Sequence, residues 1–312
     1  MNTLRCSKEH IFNIKKKVQE PSDGSMYSHY SINHFTIDEN SVSIVMTSSN
    51  RTKQLYFTLK TIANSKFKNI QVIIVDDSDT DPVTIADLDN LHLPFCIDFI
   101  KIKREHKNWH NPLVSYNIGF KFIRGGKVVI QNAEVCHVGD VLQFIHENVT
   151  NDKYYTFDVK ASLNYDTNAQ LYKKNTNDIS IYKEKELFFM WYQADHNIRN
   201  LHFLTALTKH TFDKVKEFSY DYTMGSWYDD NDFVLKIESN GITIVNIFYY
   251  KHNIGGIHLY HGMASDTWDV NVEENSGLFE KKRSLYESVG IYLDLTKTIE
   301  DFETKYNMLL MS

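Results

Sequence analysis

The chain has 312 residues, of which 42% are hydrophobic and 24% charged, values that are ordinary for one large α/β domain or two smaller ones. The net charge of −6 argues against nucleic acid or an anionic membrane surface as the main partner. Three scattered cysteines favour a reducing compartment over a disulfide framework, and no stretch approaches the roughly 20 apolar residues of a membrane span. We therefore expect a soluble, cytoplasmic protein.

Strands alternate with helices from residue 41 onward. Residues 1–40 carry a basic run and a turn-rich stretch without periodicity, and we expect an extension that packs on the main domain or hangs from it. "SVSIVMTS" then predicts a strand, residues 50–67 an amphipathic helix, and "IQVIIVDDSDTD" a strand that ends in acids. This β-α-β order implies parallel strands joined by a right-handed connection.

The alternation continues through the middle of the chain. The segments "CIDFIKI", "KVVIQ" and "KYYTFDVKASL" each predict a strand. "NPLVSYNIGFKFIRG" predicts a helix, and "HVGDVLQFIHENV" predicts another that starts near His137. Residues 164–185 are polar and aperiodic, which favours a mobile loop or insertion.

The last third of the chain resumes the same pattern. "NLHFLTALTKHTFDKVKEF" predicts a strand followed by a helix, and "GITIVNIFYYKHN" predicts a late strand. The tail is predicted to be mainly helical. The predicted organisation is an N-terminal extension over residues 1–40, a main α/β domain over 41–272 and a C-terminal helical segment over 273–312.

Polar side chains follow two of the predicted parallel strands. Asp76, Asp77 and Asp79 follow "VIIV", and Asn132 and Glu134 follow "VVIQ". Ligands of open α/β sheets bind at the carboxyl ends of the strands. Because no P-loop or GxGxxG motif follows either strand, an anionic ligand here needs a metal ion or basic side chains.

Four ordered motifs within residues 41–261 carry a resemblance to a known family. They are "VSIVMTSSNR", "VIIVDDSDTD", "SYNIGFKFIRGGKVVIQNAEV" and the stretch that ends in "SWYDDNDFVLKI". In this order and spacing they resemble the motifs of the family 2 glycosyltransferases, which have the GT-A fold. The resemblance implies an α/β, Rossmann-like fold with a mostly parallel central sheet flanked by helices and a helical C-terminal tail. It also implies transfer of a sugar from a nucleotide donor, a UDP-sugar, to a hydroxyl acceptor on a glycan or glycoprotein.

The resemblance assigns the nucleotide to the first strands and their turns. Asp76 and Asp77 would face the nucleobase, where a carboxylate can accept the imide N–H of uracil. Ser48 and Arg51, in the first strand and its turn, are expected at the nucleotide. Asn132 stands at the first acid of the family's Asp-x-Asp motif and can bond a ribose hydroxyl. The alternative for the two aspartates is that one of them caps its turn.

The second acid of that motif is replaced by Glu134, which the resemblance implies as a ligand of Mn²⁺ or Mg²⁺. One carboxylate is a poor cage for a metal ion. A histidine completes the metal site in many GT-A enzymes, so His258 or His261 of "HLYH" is expected to do so here. The alternative is that Glu134 caps the following helix.

The acid cluster "WYDDNDF" is the candidate for the chemical step. The resemblance places Asp230 as the base that takes the acceptor hydroxyl proton in an inverting displacement. Repulsion within the cluster tends to raise a carboxylate pKa toward a useful range. Asp229, Trp227 and Trp191 are expected on the acceptor side, where sugar C–H faces pack on aromatic rings. The alternative is that the acids only cap a helix and form a solvated turn.

Two other functions remain open. A sugar-1-phosphate nucleotidyltransferase also has an α/β nucleotide domain, but it would carry a Gly-rich basic loop after the first strand, and "TSSNRTKQ" lacks glycine. A catalytically silent relative would bind a nucleotide sugar or glycan without transferring it. Asn132 favours that silent relative, whereas Glu134 and Asp230 argue against it. The Asn- and Lys-rich composition is compatible with a giant-virus source.

Overall fold

The protein, a computed structural model, is described over residues 26–174, 176, 178–184, 187–192, 197–262 and 271–295. The strands in these residues are β1 (Tyr27–Ile32), β2 (Val42–Ser48), β3 (Ile70–Asp76), β4 (Cys96–Ile102), β5 (Lys127–Gln131), β6 (Val135–Val138), β7 (Lys153–Phe157), β8 (Val159–Ser162), β9 (Phe188–Tyr192), β10 (Leu204–Thr208), β11 (Thr243–Ile247) and β12 (Gly255–His258). The α-helices are α1 (Thr52–Ala63), α2 (Ile85–Asn90), α3 (Leu113–Phe120), α4 (Val141–Asn148), α5 (Tyr165–Leu171), α6 (Lys209–Val215), α7 (Asp229–Ser239), α8 (Tyr249–His252) and α9 (Val272–Val289).

The main sheet has the strand order β1-β4-β3-β2-β5-β10-β7-β11 over the described residues. The strands β2, β3 and β4 run parallel, and β5 is parallel to β2, so the β-α-β prediction is confirmed. Every residue of β3 is buried, because both faces of a parallel sheet are covered, and this explains its unbroken apolar run. The strand β1 pairs antiparallel with β4 at one edge, with Tyr27 opposite Ile102.

Helix α3 packs on the main sheet through a residue without a side chain. A Cβ atom on Gly119 would lie 2.7 Å from Cγ1 of Val45 in β2, so a larger residue would push the helix away from the strand. Asn117 donates to the carbonyl oxygen of Phe218 at 3.0 Å and accepts from its N–H at 2.9 Å. Gly119 therefore allows the close approach of the helix to the sheet, and Asn117 ties the helix to the loop after α6.

The segment after Glu134 is a strand rather than the start of a helix. Residues 135–138 form β6, which pairs antiparallel with β12, so the predicted helix start near His137 is wrong. Helix α4 begins later, where the Asp140 side chain accepts from the N–H of Gln143 at 3.2 Å. A short buried strand and the first turn of a helix have similar apolar patterns, and the sequence alone did not separate them.

The described residues form a second sheet, with the strand order β6-β12-β8-β9. One segment that the sequence predicts as a single strand is shared between the two sheets. The segment "KYYTFDVKASL" is two strands, with β7 in the main sheet and β8 in the second sheet. Asp158 lies at the crossing: its N–H donates to Ile247 of β11 at 3.1 Å, and its carbonyl oxygen accepts from Gly256 of β12 at 2.8 Å. The chain therefore changes sheets at Asp158 without a turn.

The prediction of a mobile loop over residues 164–185 is wrong for its first part, which is helix α5. Asn164 caps this helix by accepting from the N–H of Thr167 at 2.8 Å. The buried residues of the helix are Thr167, Asn168 and Leu171. Two of these three are polar, which explains why the segment shows little apolar periodicity.

The C-terminal helix α9 confirms the helical tail over the residues that the structure describes. It contacts α7, and its buried residues are Asn275, Gly277, Leu278, Phe279, Lys282 and Leu285. Among the described residues, every helix is too short or too polar to cross a membrane.

Candidate active site

The carboxyl ends of β2, β3 and β5 lie side by side at one edge of the main sheet. Ser48, the last residue of β2, is paired with Asp76, the last residue of β3, and β5 ends at Gln131 on the other side of β2. Because the three strands are parallel, the residues that follow them meet at this edge. The end of β12 reaches the same place, where the N–H of Leu259 donates to the carbonyl oxygen of Glu134 at 2.9 Å.

A carboxylate and two imidazoles converge beside β5. The Oε1 atom of Glu134 lies 3.3 Å from Nε2 of His258 and 3.6 Å from Nε2 of His261. One potential ligand atom from each of the three residues lies within 4.8 Å of the others. The structure thus brings together the three residues predicted as metal ligands.

Glu134 is held as a carboxylate although it is only 1% exposed. Burial opposes its ionisation, but the ion pair with Arg51 and the contact with His258 outweigh burial, so the pKa of Glu134 lies well below its ordinary value. Burial, with the nearby charge of Arg51, lowers the pKa of His261 to about 4, which leaves its imidazole neutral near pH 7. Carboxylate and neutral imidazole are the protonation states that bind a metal ion.

These three residues fit a divalent metal ion. Ligand atoms bound to one ion at about 2.1 Å are separated by roughly 3.0–3.5 Å, close to the two nitrogen–oxygen distances of the trio. The Oε2 atom of Glu134 is buried and has no hydrogen-bond partner among the described residues, a costly arrangement unless a ligand satisfies it. Mixed nitrogen and oxygen ligands suit Mn²⁺ better than Mg²⁺, which prefers oxygen alone. The alternative role of Glu134 as a helix cap is excluded, because Asp140 caps α4.

Asp76 and Asp77 have different partners. Oδ1 of Asp76 accepts from the hydroxyl of Ser78 at 2.6 Å. Its Oδ2 accepts at 3.3 Å from the backbone N–H of Val83, in the loop that leads to α2. Burial raises the pKa of Asp76 to about 6. Oδ2 of Asp77 lies 3.3 Å from the hydroxyl of Ser115 and 3.3 Å from Nζ of Lys107. The carboxylate of Asp76 therefore stabilises its own loop, which is the alternative to recognition of the base. The carboxylate of Asp77 contacts two side chains instead.

The other residues predicted at the nucleotide line the same edge. Nδ2 of Asn132 donates to Oε1 of Glu134 at 3.4 Å, and its Oδ1 accepts from the hydroxyl of Tyr116 at 3.2 Å. The hydroxyl of Ser48 is buried and has no hydrogen-bond partner among the described residues, so it can bond a ligand. Arg51 forms an ion pair with Glu134, so the positive charge of Arg51 lies at the candidate metal site.

The acid cluster begins helix α7. Asp229 is 6% exposed, and its Oδ1 accepts from the amide of Asn111 at 3.0 Å. Asp230 is partly buried and accepts from the N–H of the next residue at 2.8 Å. Burial raises the pKa of both carboxyls, and the charge of Asp229 raises that of Asp230 further, to about 7. Asp232 differs from them because it forms an ion pair with Lys282 inside the protein.

The turn before α7 has an unusual backbone. Trp227 and Tyr228 have φ angles of 70° and 68°, in the left-handed region that residues with a side chain rarely adopt. Asn275 of α9 holds this turn by donating to the carbonyl oxygens of Ser226 at 3.1 Å and Trp227 at 3.2 Å. The Trp227 side chain is 53% exposed beside the acids. Trp191 lies in β9, and its side chain is outside the described part of the structure.

Tyr116 lies in helix α3, near both the residues around Glu134 and the acid cluster of α7. Its side chain is buried, which raises its pKa, and the charges of Glu134 and Asp229 raise that pKa further. The hydroxyl of Tyr116 donates to Asn132, and Asn111, just before the same helix, donates to Asp229. The two groups of predicted residues therefore both border helix α3.

Several residues that shape this site were not predicted from the sequence. Asn111 bonds Asp229, Tyr116 bonds Asn132, and Asn275 holds the strained turn. The sequence did contain a signal for Asn111, since an asparagine before a proline at the start of a predicted helix indicates a residue with a structural role. Asn275 had none, because its partners are backbone carbonyl groups of a turn that is distant in sequence.

Comparison with known sequences gives one family. A family model described as glycosyl transferase family 2 matches residues 43–206, just over half of the chain. The matched stretch includes Asp76, Asn132 and Glu134, and it ends before Asp230 and the two histidines. A search of curated proteins found no match.

Solved glycosyltransferase structures share the fold. S. aureus TarS 1-349 in complex with UDP-GlcNAc has a TM-score of 0.53 at 12% identity, over 86% of this chain and 70% of that chain. GalNAc-T7 with UDP, GalNAc and Mn²⁺ has a TM-score of 0.50 at 10% identity, over 86% of this chain and 55% of that chain. The mannosyltransferase PcManGT from Pyrobaculum calidifontis, in complex with GDP-Man and Mn²⁺, has a TM-score of 0.43 at 12% identity, over 81% of this chain and 63% of that chain.

These likenesses bear on the fold alone, because the identities are so low. They confirm the predicted α/β architecture of GT-A type. The chain spans less than two thirds of the length of PcManGT and of GalNAc-T7.

Proposed function

We propose that this chain, which belongs to glycosyl transferase family 2, transfers a sugar from a UDP-sugar to a hydroxyl group of a glycan or glycoprotein. The observation that carries the proposal is the convergence of Glu134, His258 and His261 at the carboxyl ends of the strands. Helix α3 borders this place, and Asn111 just before that helix bonds Asp229 of the acid cluster. A sugar-1-phosphate nucleotidyltransferase would carry a Gly-rich basic loop after β2, and the residues that follow β2 include no glycine.

The donor nucleotide is proposed to lie at the ends of β2 and β3. Asp76 and Asp77 are proposed to form the wall for the base. Asp77, held by Lys107, would accept the imide N–H of uracil, because both carboxylate oxygens of Asp76 already make loop contacts. The hydroxyl of Ser48, which has no hydrogen-bond partner among the described residues, and the amide of Asn132 are proposed to bond the ribose. Solved structures of the same fold contain UDP-GlcNAc or UDP, which supports a uridine donor.

The diphosphate is proposed to lie at the trio Glu134, His258 and His261, which would hold Mn²⁺. When bound, the ion supplies a Lewis acid for the departing diphosphate. The chain contributes a second positive charge through Arg51, which forms an ion pair with Glu134. Both charges would stabilise the negative charge that develops on the leaving group.

Asp230 is proposed as the base of an inverting displacement. Its raised pKa, about 7, suits a group that must take a proton from a hydroxyl near neutral pH. Asp229, fixed by Asn111, is proposed to orient the acceptor. The exposed ring of Trp227 offers a face for sugar C–H groups, and Trp191 is proposed on the same side.

The test is release of UDP from a panel of UDP-sugars with Mn²⁺ present. We expect Asp230→Asn to lower the rate by about 100-fold or more, because general-base catalysis contributes on this order, while UDP affinity is kept. Glu238→Gln is the matched control, an exposed acid near the other end of the same helix, and it should keep the wild-type rate. Unchanged turnover by Asp230→Asn would contradict the assigned role.

Asn132 favours a second candidate, a silent relative that binds a nucleotide sugar without transferring it. An amide at this position brings no negative charge to a metal ion, so a bound ion would rely on a single carboxylate. Tight UDP binding by the wild type, with no UDP release from any donor in the panel, would select this candidate.

A further inference from the structure

We propose that Asn168 of helix α5 is a positioning residue for the metal site, because it fixes the backbone that separates the two imidazoles. The inference rests on the proposed function, in which His258 and His261 hold a metal ion. It assigns a role to the helix in the segment that the sequence predicted as a mobile loop.

The two histidines are supported differently by the fold. His258 is the last residue of β12, where it is paired with Val135 of β6 and Ala161 of β8. The sheet therefore fixes its backbone on both sides. His261 lies three residues beyond, outside either sheet. Its distance to Glu134 must be set by something other than a strand.

Asn168 supplies that support through Tyr260, which lies between the histidines. Nδ2 of Asn168 donates to the carbonyl oxygen of Tyr260 at 2.8 Å, and its Oδ1 accepts from the N–H of Tyr260 at 3.0 Å. These two bonds engage the peptide groups on both sides of Tyr260. Both peptide planes lie within the three-residue step from His258 to His261, so their orientation sets where the second imidazole projects.

Asn168 is itself held rigidly. It is 1% exposed, and its Oδ1 also accepts from the hydroxyl of Ser162 at 2.8 Å. Gln54 of α1 donates to the same Tyr260 carbonyl oxygen at 3.1 Å. The hydroxyl of Tyr165 accepts from the N–H of Gly262 at 2.9 Å, on the far side of His261. The loop that carries His261 is thus bonded on both sides of the imidazole.

The experiment measures the affinity of the full chain for Mn²⁺ through the EPR signal of the free ion. We expect Asn168→Ala to weaken Mn²⁺ binding on the order of tenfold, the lower end of what residues supporting metal ligands contribute. Asn168→Asp guards against a cavity effect, because it keeps the side-chain volume and the acceptor oxygen but replaces the donor to the Tyr260 carbonyl oxygen with a second acceptor. Its added negative charge would by itself favour a cation, so weaker Mn²⁺ binding by Asn168→Asp reports the disturbed contact with Tyr260 rather than the charge.

Asn164→Ala is the matched control. It removes the N-cap of the same helix, and the contacts of the Asn164 side chain within the described residues are with Thr167 rather than with Tyr260. We expect it to lower the Tm while keeping Mn²⁺ affinity within about twofold of wild type. Wild-type affinity in both Asn168 variants, or equal losses in the Asn164 and Asn168 variants, would overturn the positioning role. Failure of the wild type to bind Mn²⁺ would instead refute the proposed metal site.

Discussion

Two adjacent carboxyl groups, Asp229 and Asp230, begin helix α7 in surroundings that disfavour their charge. The helix N-terminus favours negative charge there, and Asn111 donates to Asp229, but burial still raises the pKa of both groups. Such an arrangement destabilises the ionised folded protein. It is consistent with a site kept for chemistry rather than for stability.

A pH dependence of stability follows for Asp230. Its folded-state pKa of about 7 lies above its ordinary 3.8, so between these values the folded protein binds more protons than the unfolded chain. Stability from this group is therefore present at low pH and is lost as the pH rises through the folded pKa. We expect Asp230→Asn to exceed wild type in free energy of unfolding by on the order of 1–2 kcal/mol at about pH 8, and to differ little at about pH 4.

Urea denaturation of both proteins across this pH range checks the expectation. The gap between the two stabilities should open as the pH rises. A constant gap would mean that Asp230 titrates normally in the folded protein, and it would remove the argument that its pKa suits a base.

Helix α9 braces α7 through a buried ion network. Nζ of Lys282, with no exposed surface, lies 3.0 Å from Oδ2 of Asp221 and 2.9 Å from Oδ1 of Asp232. Asp232 also accepts from the hydroxyl of Tyr222 at 3.0 Å. Because Asp232 lies on the same helix as Asp230, the network and the strained turn held by Asn275 make α9 part of the support of the acid cluster.

Removal of the lysine should therefore be costly. We expect Lys282→Met to lower the free energy of unfolding by about 3–5 kcal/mol, because it leaves two buried carboxylates without their cation. Arg283→Met, at the next position of the helix, removes exposed ion pairs with Glu280 and Glu287 and should cost less than about 1 kcal/mol. Chemical denaturation measures both variants, and equal losses would contradict the account of the network.

The order of strands and helices along the chain was largely predictable, because apolar periodicity reports which residues face a core. The sequence did not show which of the two sheets a given strand belongs to. The run through Asp158 is an unbroken strand by its pattern, and only its bonds to Ile247 and Gly256 show that it passes from one sheet to the other. Helix α5 was missed for a related reason, since its buried Thr167 and Asn168 are polar.

The candidate site was predictable where chemistry shows in the residue type. Glu134, His258 and His261 were predicted as metal ligands, and they lie together in the fold. The residues that hold them in place were not predictable, because their partners are backbone groups far away in sequence, as with Asn168.

The central claim is that a metal ion at Glu134 helps the protein to bind a nucleotide diphosphate. Isothermal titration of UDP into the wild type and Glu134→Ala, with and without Mn²⁺, tests it most directly. The account predicts that Mn²⁺ strengthens UDP binding to the wild type by on the order of tenfold or more, and that Glu134→Ala loses this gain. Equal UDP affinity of the wild type with and without Mn²⁺, or a full gain in Glu134→Ala, would contradict it.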